Sequence, residues 1–230
     1  MSDAVVFSGV ACVDEAEQPL LSGLDLSLAA GEALVVAGGG SSGKSALLAL
    51  CVGGMKPSAG RVEVLGQEPA TLEPRALDRL RQRIGYVPQR GGLLSNLDLR
   101  ANIALPLRYH LGANEASAAA AVERVYDLLD VDPLPALMPA DAPLLMRQVA
   151  AIARALVLKP GLLLIDEPGS GLDEANAEEL WRLLWRVQSE TGIAILATAA
   201  DAAGARPLTQ RVLHLASRRR VTFRVMPGQG

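Results

Sequence analysis

The stretch "GGGSSGKS", Gly38 to Ser45, follows the apolar run of "LDLSLAAGEALVVA" (24–37) and opens the run "KSALLALCVGG" (44–54). It matches GxxxxGK[ST], and an apolar strand before it with a helix after it is the setting this pattern needs. Glycines let the backbone wind its N–H groups around phosphate oxygens, while the following helix turns its positive end toward the same anion. Gly38, Gly39, Gly40, Ser41, Ser42 and Gly43 are therefore expected to form the cradle. Lys44 is expected to reach the β- and γ-phosphates, and Ser45 to ligate Mg²⁺. A glycine-rich turn that only caps a helix has no need of Lys-Ser at that offset.

Further along, "LLLIDEP" (162–168) is a buried-strand pattern ending in two adjacent carboxylates. At such a strand end Asp166 can hold the shell of a magnesium ion, and Glu167 can orient or deprotonate an attacking water. An Asp-Glu pair alone is an ordinary helix-start signal. Joined to Gly38–Ser45 it describes a nucleotide hydrolysis site.

Around these two motifs the chain alternates. "AVVFSGVACV" (4–13), "GRVEVLGQ" (60–67), "RIGYVPQ" (83–89), "IAILAT" (193–198) and a closing pair, "RVLHLA" (211–216) and "VTFRV" (221–225), are expected strands; "EANAEELWRLLWRVQSE" (174–190) is an expected helix. Residues 93–158 carry helical spacing broken by Pro106, Pro133, Pro135, Pro139 and Pro143, which suggests a helical insert. Strands alternating with helices predict an α/β fold with a largely parallel sheet covered on both faces.

With "GGGSSGKS", "YVPQ" (86–89) and "LLLIDEPGSGLD" (162–173) in this order, the chain resembles the nucleotide-binding subunit of ABC transporters over nearly its whole length. The resemblance implies a P-loop NTPase fold: a RecA-like core, a small antiparallel β part and an inserted α-helical subdomain. On that pattern 1–90 and 150–230 form the core and 91–149 the subdomain of one cassette. It implies two cassettes, homo- or heterodimeric, sandwiching two Mg-ATP, docked on a membrane permease and so peripheral to the inner face of the cell membrane. Gln89 matches the family's Q-loop, which touches the magnesium ion or the water, and Ser170–Asp173 matches the D-loop that lines the partner's site. "GGLLSNLDLRANIALPL" (91–107) looks like the stretch that receives a permease's coupling helix, and is most similar to cassettes serving lipid-handling importers of the MCE (Mla) type.

Three features of the family are missing. Counting back from "AIARAL", the five positions of its LSGGQ signature hold Ala142, Pro143, Leu144, Leu145 and Met146, with Met146 twenty residues before Asp166. Proline has neither hydroxyl nor N–H, and leucine side chains stand where close approach to an anion requires glycine. The helix itself is expected to survive, because proline is comfortable at a helix start. The switch histidine is replaced by Thr198, Ala199 and Ala200. The aromatic that stacks on adenine has no counterpart among Cys12, Val13 and Asp14, and Phe7 is too early. The expectation is an ATP-binding transporter subunit with weak hydrolysis; the alternative is a pseudo-ATPase, a nucleotide-gated regulatory or interaction protein.

Bulk properties agree with a protein of this kind and exclude others. The 230 residues are 50% hydrophobic with net charge −3, which gives no electrostatic reason to bind nucleic acid. A cassette acting on DNA or ribosomes is further disfavoured by the absence of long coiled-coil insertions. The opening "MSDAVVFSGV" is not expected to act as a secretory signal, and no apolar run approaches the roughly 20 residues of a spanning helix. Cys12 and Cys51 lack CxxC spacing, so reduced thiols and no metal other than Mg²⁺ are expected. Trp181 and Trp185 are expected to share a helix face as core or interface, His110 and His214 to be structural, and "SRRR" (217–220) to be a solvated turn.

Overall fold

In the computed structural model, residues 3–40, 42–205, 207–209 and 211–215 are described. Two long strands, β1 (Asp3–Val13) and β2 (Pro19–Ala29), pair antiparallel, and β4 (Ala59–Val64) adds to the other edge of β1. The order β2-β1-β4 is the small antiparallel sheet. A second sheet has the order β5-β6-β7-β3-β8, with β3 at Ala33–Ala37, β5 at Ile84–Val87, β6 at Leu162–Ile165, β7 at Ala194–Ala199 and β8 at Val212–His214. All four of its pairings are parallel.

Strands β3 and β6 are apolar along their whole length, and β7 at every position but Thr198, because both faces are covered. Val35, Leu163, Ile165, Ile195 and Ala197 face one core; Leu34, Val36, Leu162, Leu164 and Leu196 face the other. The first core is closed by α3 (Leu99–Leu111), α4 (Glu115–Leu129), α5 (Leu144–Leu156) and α6 (Glu174–Thr191). The second is closed by the antiparallel sheet and α1 (Lys44–Cys51), with Leu80 of α2 (Pro74–Gln82). The starts of α3, α4 and α6 follow side-chain caps: Asp98, Asn114 and Asp173 accept from Ala101, Ser117 and Asn176 backbone N–H groups.

Several details bear on the expectations. Pro106 lies inside α3 and does not end it. Asn102, one turn earlier and wholly buried, helps anchor that helix: its Nδ2 donates to the carbonyls of Leu94, Leu97 and Asp98, and its Oδ1 accepts from Leu94 N–H at 2.7 Å. Trp181 is core, but Trp185, one turn on, is 51% exposed. His110 and His214 are exposed, and His110 meets Tyr109 edge-on. Helix α5 spans the boundary expected at 149/150. The strand expected at 221–225 and the turn at 217–220 lie outside the described residues, as does Ser41. No described helix is long and apolar enough to cross a membrane.

Candidate functional site

Parallel register brings the two motifs together. Strand β7 lies between β3 and β6, with Val36 level with Thr198 and Ile165 level with Ala197. The turn after β3 and the carboxylates after β6 therefore emerge at the same, carboxyl edge of the sheet, where ligands of open α/β folds bind. Gly38 N–H donates to Ala199 C=O at 3.1 Å, tying the turn to β7.

Two glycines of the turn are required by geometry. A methyl on Gly38 would stand 2.6 Å from Ser42 Oγ and 2.8 Å from Leu215 C=O. Gly43 has φ +89 and a methyl there would stand 2.6 Å from Leu20 C=O. It is the N-cap of α1 and offers no side chain to the helix end. The first-turn N–H groups of α1 thus have no partner within the helix and face the turn. Ser45 stands exposed on that first turn.

Lys44 is buried to 5% exposure, and its Nζ donates to Gly38 C=O at 2.5 Å and Gly39 C=O at 3.0 Å. The same ammonium lies 3.0 Å from Glu167 Oε1, and Gln89 Nε2 donates to Glu167 Oε2 at 2.8 Å. Glu167 adopts φ +47, a conformation that L residues rarely take and that costs free energy unless the surroundings hold it. Asp166 is 5% exposed and accepts from Thr198 Oγ at 2.6 Å, while Thr198 Oγ in turn accepts from Glu167 N–H at 2.9 Å. Burial first, and the Asp166 charge second, push the Tyr86 phenol up.

The expected residues therefore divide. Lys44, Glu167 and Gln89 form one connected chain; Asp166 joins it through Thr198; Ser45 is exposed on the first turn of α1, and a methyl on Gly40 would meet nothing within 4 Å. Thr198 was visible in the sequence only as a neighbour of a missing histidine. Its hydroxyl on both acidic residues depends on the pairing of β6 with β7. Ala199, Ala200 and Asp201 line a cavity of about 210 Å³ beside Glu167, with no imidazole among its lining residues.

The loop after Gln89 is fixed by α5. Arg154 donates to Gly91 C=O at 2.7 Å and Gly92 C=O at 2.8 Å, and Gln148 Nε2 reaches Gln89 C=O at 3.4 Å. Burial pulls the Arg154 guanidinium down from its ordinary range. At the other end of α5, Pro143 is the N-cap, and the side chain of Leu144 lies against Gly171, its Cδ2 only 3.2 Å from where a methyl on that glycine would be.

A model of the ABC transporter family matches residues 21–170, more than half of the chain. The chain belongs to the ABC transporter family. This cassette is 34% identical over 199 residues to the methionine import ATP-binding protein MetN of Latilactobacillus sakei, covering 86% of this chain and 58% of that protein. It is 37% identical over 176 residues to MetN of Cupriavidus necator, covering 76% and 51%. To the lipoprotein-releasing system ATP-binding protein LolD of Hydrogenovibrio crunogenus it is 35% identical over 187 residues, with 80% of each chain covered. The cassette thus spans a little over half the length of these MetN relatives. Among solved structures it resembles the ATP-binding cassette MJ0796 in a dimeric post-hydrolysis state with ADP and Pi, at TM-score 0.82 and 25% identity, over 96% of this chain and 100% of that one. The fold expected from the sequence, a P-loop core with mostly parallel strands, a small antiparallel sheet and added helices, is the fold observed.

Proposed function

We propose that this cassette is the ATP-binding subunit of a transporter, taking Mg-ATP at Gly38–Ser45 and passing the effect of occupancy to a membrane permease through residues 91–149. The observation that carries the reading is the chain Lys44–Glu167–Gln89, with separations of 3.0 and 2.8 Å, which joins the glycine turn, the strand-end carboxylate and the entry to the helices.

The residues present fit a triphosphate and its cation. The turn is narrow at Gly38 and Gly43 but open at Gly40, where an added methyl would meet nothing within 4 Å. The Ser45 hydroxyl, the Asp166 carboxylate and the Gln89 amide are oxygen donors, the kind a hard divalent cation takes. Magnesium, when bound, supplies charge neutralisation at the β- and γ-phosphate oxygens. Lys44 adds a fixed positive charge to the turn, Glu167 orients or deprotonates water, and Gln89 links that carboxylate to the loop that Arg154 holds. The relatives' names, for methionine import and lipoprotein release, support a transport role.

Turnover in this reading is slow. Leu144 and Leu145 occupy the start of α5, where the family's signature presents donors to a second cassette, and loss of one such donor lowers the rate by about 10² to 10³. The lost base-stacking aromatic is worth about 1–3 kcal/mol of affinity, which weakens binding without abolishing it. The partners are a second cassette, of the same or another chain, and a permease that keeps the protein peripheral to the membrane. A lipid cargo with an MCE-type carrier rests on residues 91–107, and the genes beside this one test it.

Steady-state hydrolysis with and without the permease, compared with Glu167→Gln, is the deciding measurement. Slow turnover that the substitution removes, with nucleotide binding lost in Lys44→Ala, is expected. Binding with no turnover even beside the permease replaces the reading with a nucleotide-gated regulatory protein. Absence of binding by the unmodified chain removes both.

A further inference from the structure

Thr198 is the only polar side chain on β7, "AILATA" (194–199), and it is fully buried. A lone hydroxyl inside a parallel sheet is costly unless both its donor and its acceptor capacity are used. Here both are, and on adjacent residues: its proton goes to Asp166 Oδ1 and its lone pair receives Glu167 N–H. One oxygen atom therefore fixes the carboxylate of the first acidic residue and the peptide of the second.

We propose that Thr198 is a positioning residue for the cation site, holding the Asp166 carboxylate in one orientation and Glu167 in its left-handed backbone conformation. The inference rests on the reading of Gly38–Ser45 and Asp166 as a Mg-ATP site. With Oδ1 engaged by the hydroxyl, Oδ2 of Asp166 would be the oxygen left to face the cation or its water shell. With its N–H engaged, Glu167 stays at φ +47, the conformation in which its carboxylate meets both Lys44 and Gln89. Pairing of β6 with β7 sets the distance, since Ile165 and Ala197 are level and each chain's next residue makes the contact. Nothing else on β7 could do this, because every other side chain on it is Ala, Ile or Leu.

The role separates from ordinary strand packing through two substitutions. Thr198→Val keeps the branched shape and removes the hydroxyl; Thr198→Ser keeps the hydroxyl and removes the methyl. Calorimetric titration of the full chain with ATP, with and without Mg²⁺, is expected to show affinity for Mg-ATP about tenfold weaker in Thr198→Val and metal-free ATP nearly unchanged, since the loss falls on a hydrogen bond to a charged group. Thr198→Ser is expected to follow the unmodified chain in both titrations. A second readout needs no nucleotide: exchange of the Glu167 amide hydrogen is expected to accelerate in Thr198→Val and not in Thr198→Ser. An unchanged ratio of Mg-ATP to metal-free affinity in a folded Thr198→Val, or equal losses in both variants, overturns the proposal, as does unchanged exchange at Glu167. If Thr198→Val does not fold, Thr198→Ala carries the same comparison. Failure of the unmodified chain to bind ATP in either form is a different result, one that sinks the nucleotide reading itself.

Discussion

Single residues at the site leave little room for substitution. Gly43 is the sharpest case: its φ of +89 and the 2.6 Å from a would-be methyl to Leu20 C=O leave room for hydrogen alone. Gly43→Ala combines a left-handed conformation costing about 1–2 kcal/mol with a clash against backbone. The expected result is a loss of at least about 2 kcal/mol and a melting temperature roughly 5 °C lower, read by thermal unfolding. This constraint was legible from the motif, because a glycine immediately before Lys-Ser marks the tight turn from a phosphate cradle into its helix. The clasp of Thr198 on Asp166 and Glu167 was not legible, since it arises between strands 32 residues apart in sequence and leaves no local pattern. The outward position of Trp185 was equally hidden: a four-residue spacing places two indoles on one side of a helix but does not say how far a neighbouring helix extends over them.

Among the elements, α3 and α5 jointly control the segment that leaves the site after Gln89. Asn102 takes three carbonyls and one N–H of residues 94–98, and Arg154 takes the carbonyls of Gly91 and Gly92. Asn102→Ala is expected to cost about 2–4 kcal/mol in urea denaturation, from several net hydrogen-bond contributions and the groups left unpaired. Accelerated amide exchange at Leu94 with unchanged ATP affinity is the accompanying expectation; weakened ATP affinity contradicts a role confined to that segment. Helical character over 93–158 was readable from spacing, whereas the passage of α3 through Pro106 was not, because the flanking residues Ile103, Ala104 and Leu107 hold that helix in the core from outside its own sequence logic. At the start of α5 the leucines have become packing groups: Leu144 lies against Gly171, and Leu145 packs on the core. Glycines placed there would admit an anion only by opening a gap.

At the scale of the molecule, the parallel sheet is shared between two cores, with alternate residues of β3, β6 and β7 committed to opposite sides. Neither core can be exposed without withdrawing strands from the other, so unfolding is expected to be one cooperative step. Both tryptophans are on α6, beside the first core, whereas circular dichroism reports the whole chain. Coincident urea transitions by the two probes are expected; an earlier fluorescence transition marks the helical side as an independent unit. The alternation of strands and helices made this architecture legible, but the small sheet's contact with the glycine turn was not. That contact has a practical edge. Because Leu20 and Leu21 of β2 form a wall against Gly43, the first hairpin is a template on which the turn is moulded. Chimaeras that graft this hairpin from a related cassette will therefore import its mould as well, and their nucleotide affinities will sort by hairpin donor even when Gly38–Ser45 is left untouched.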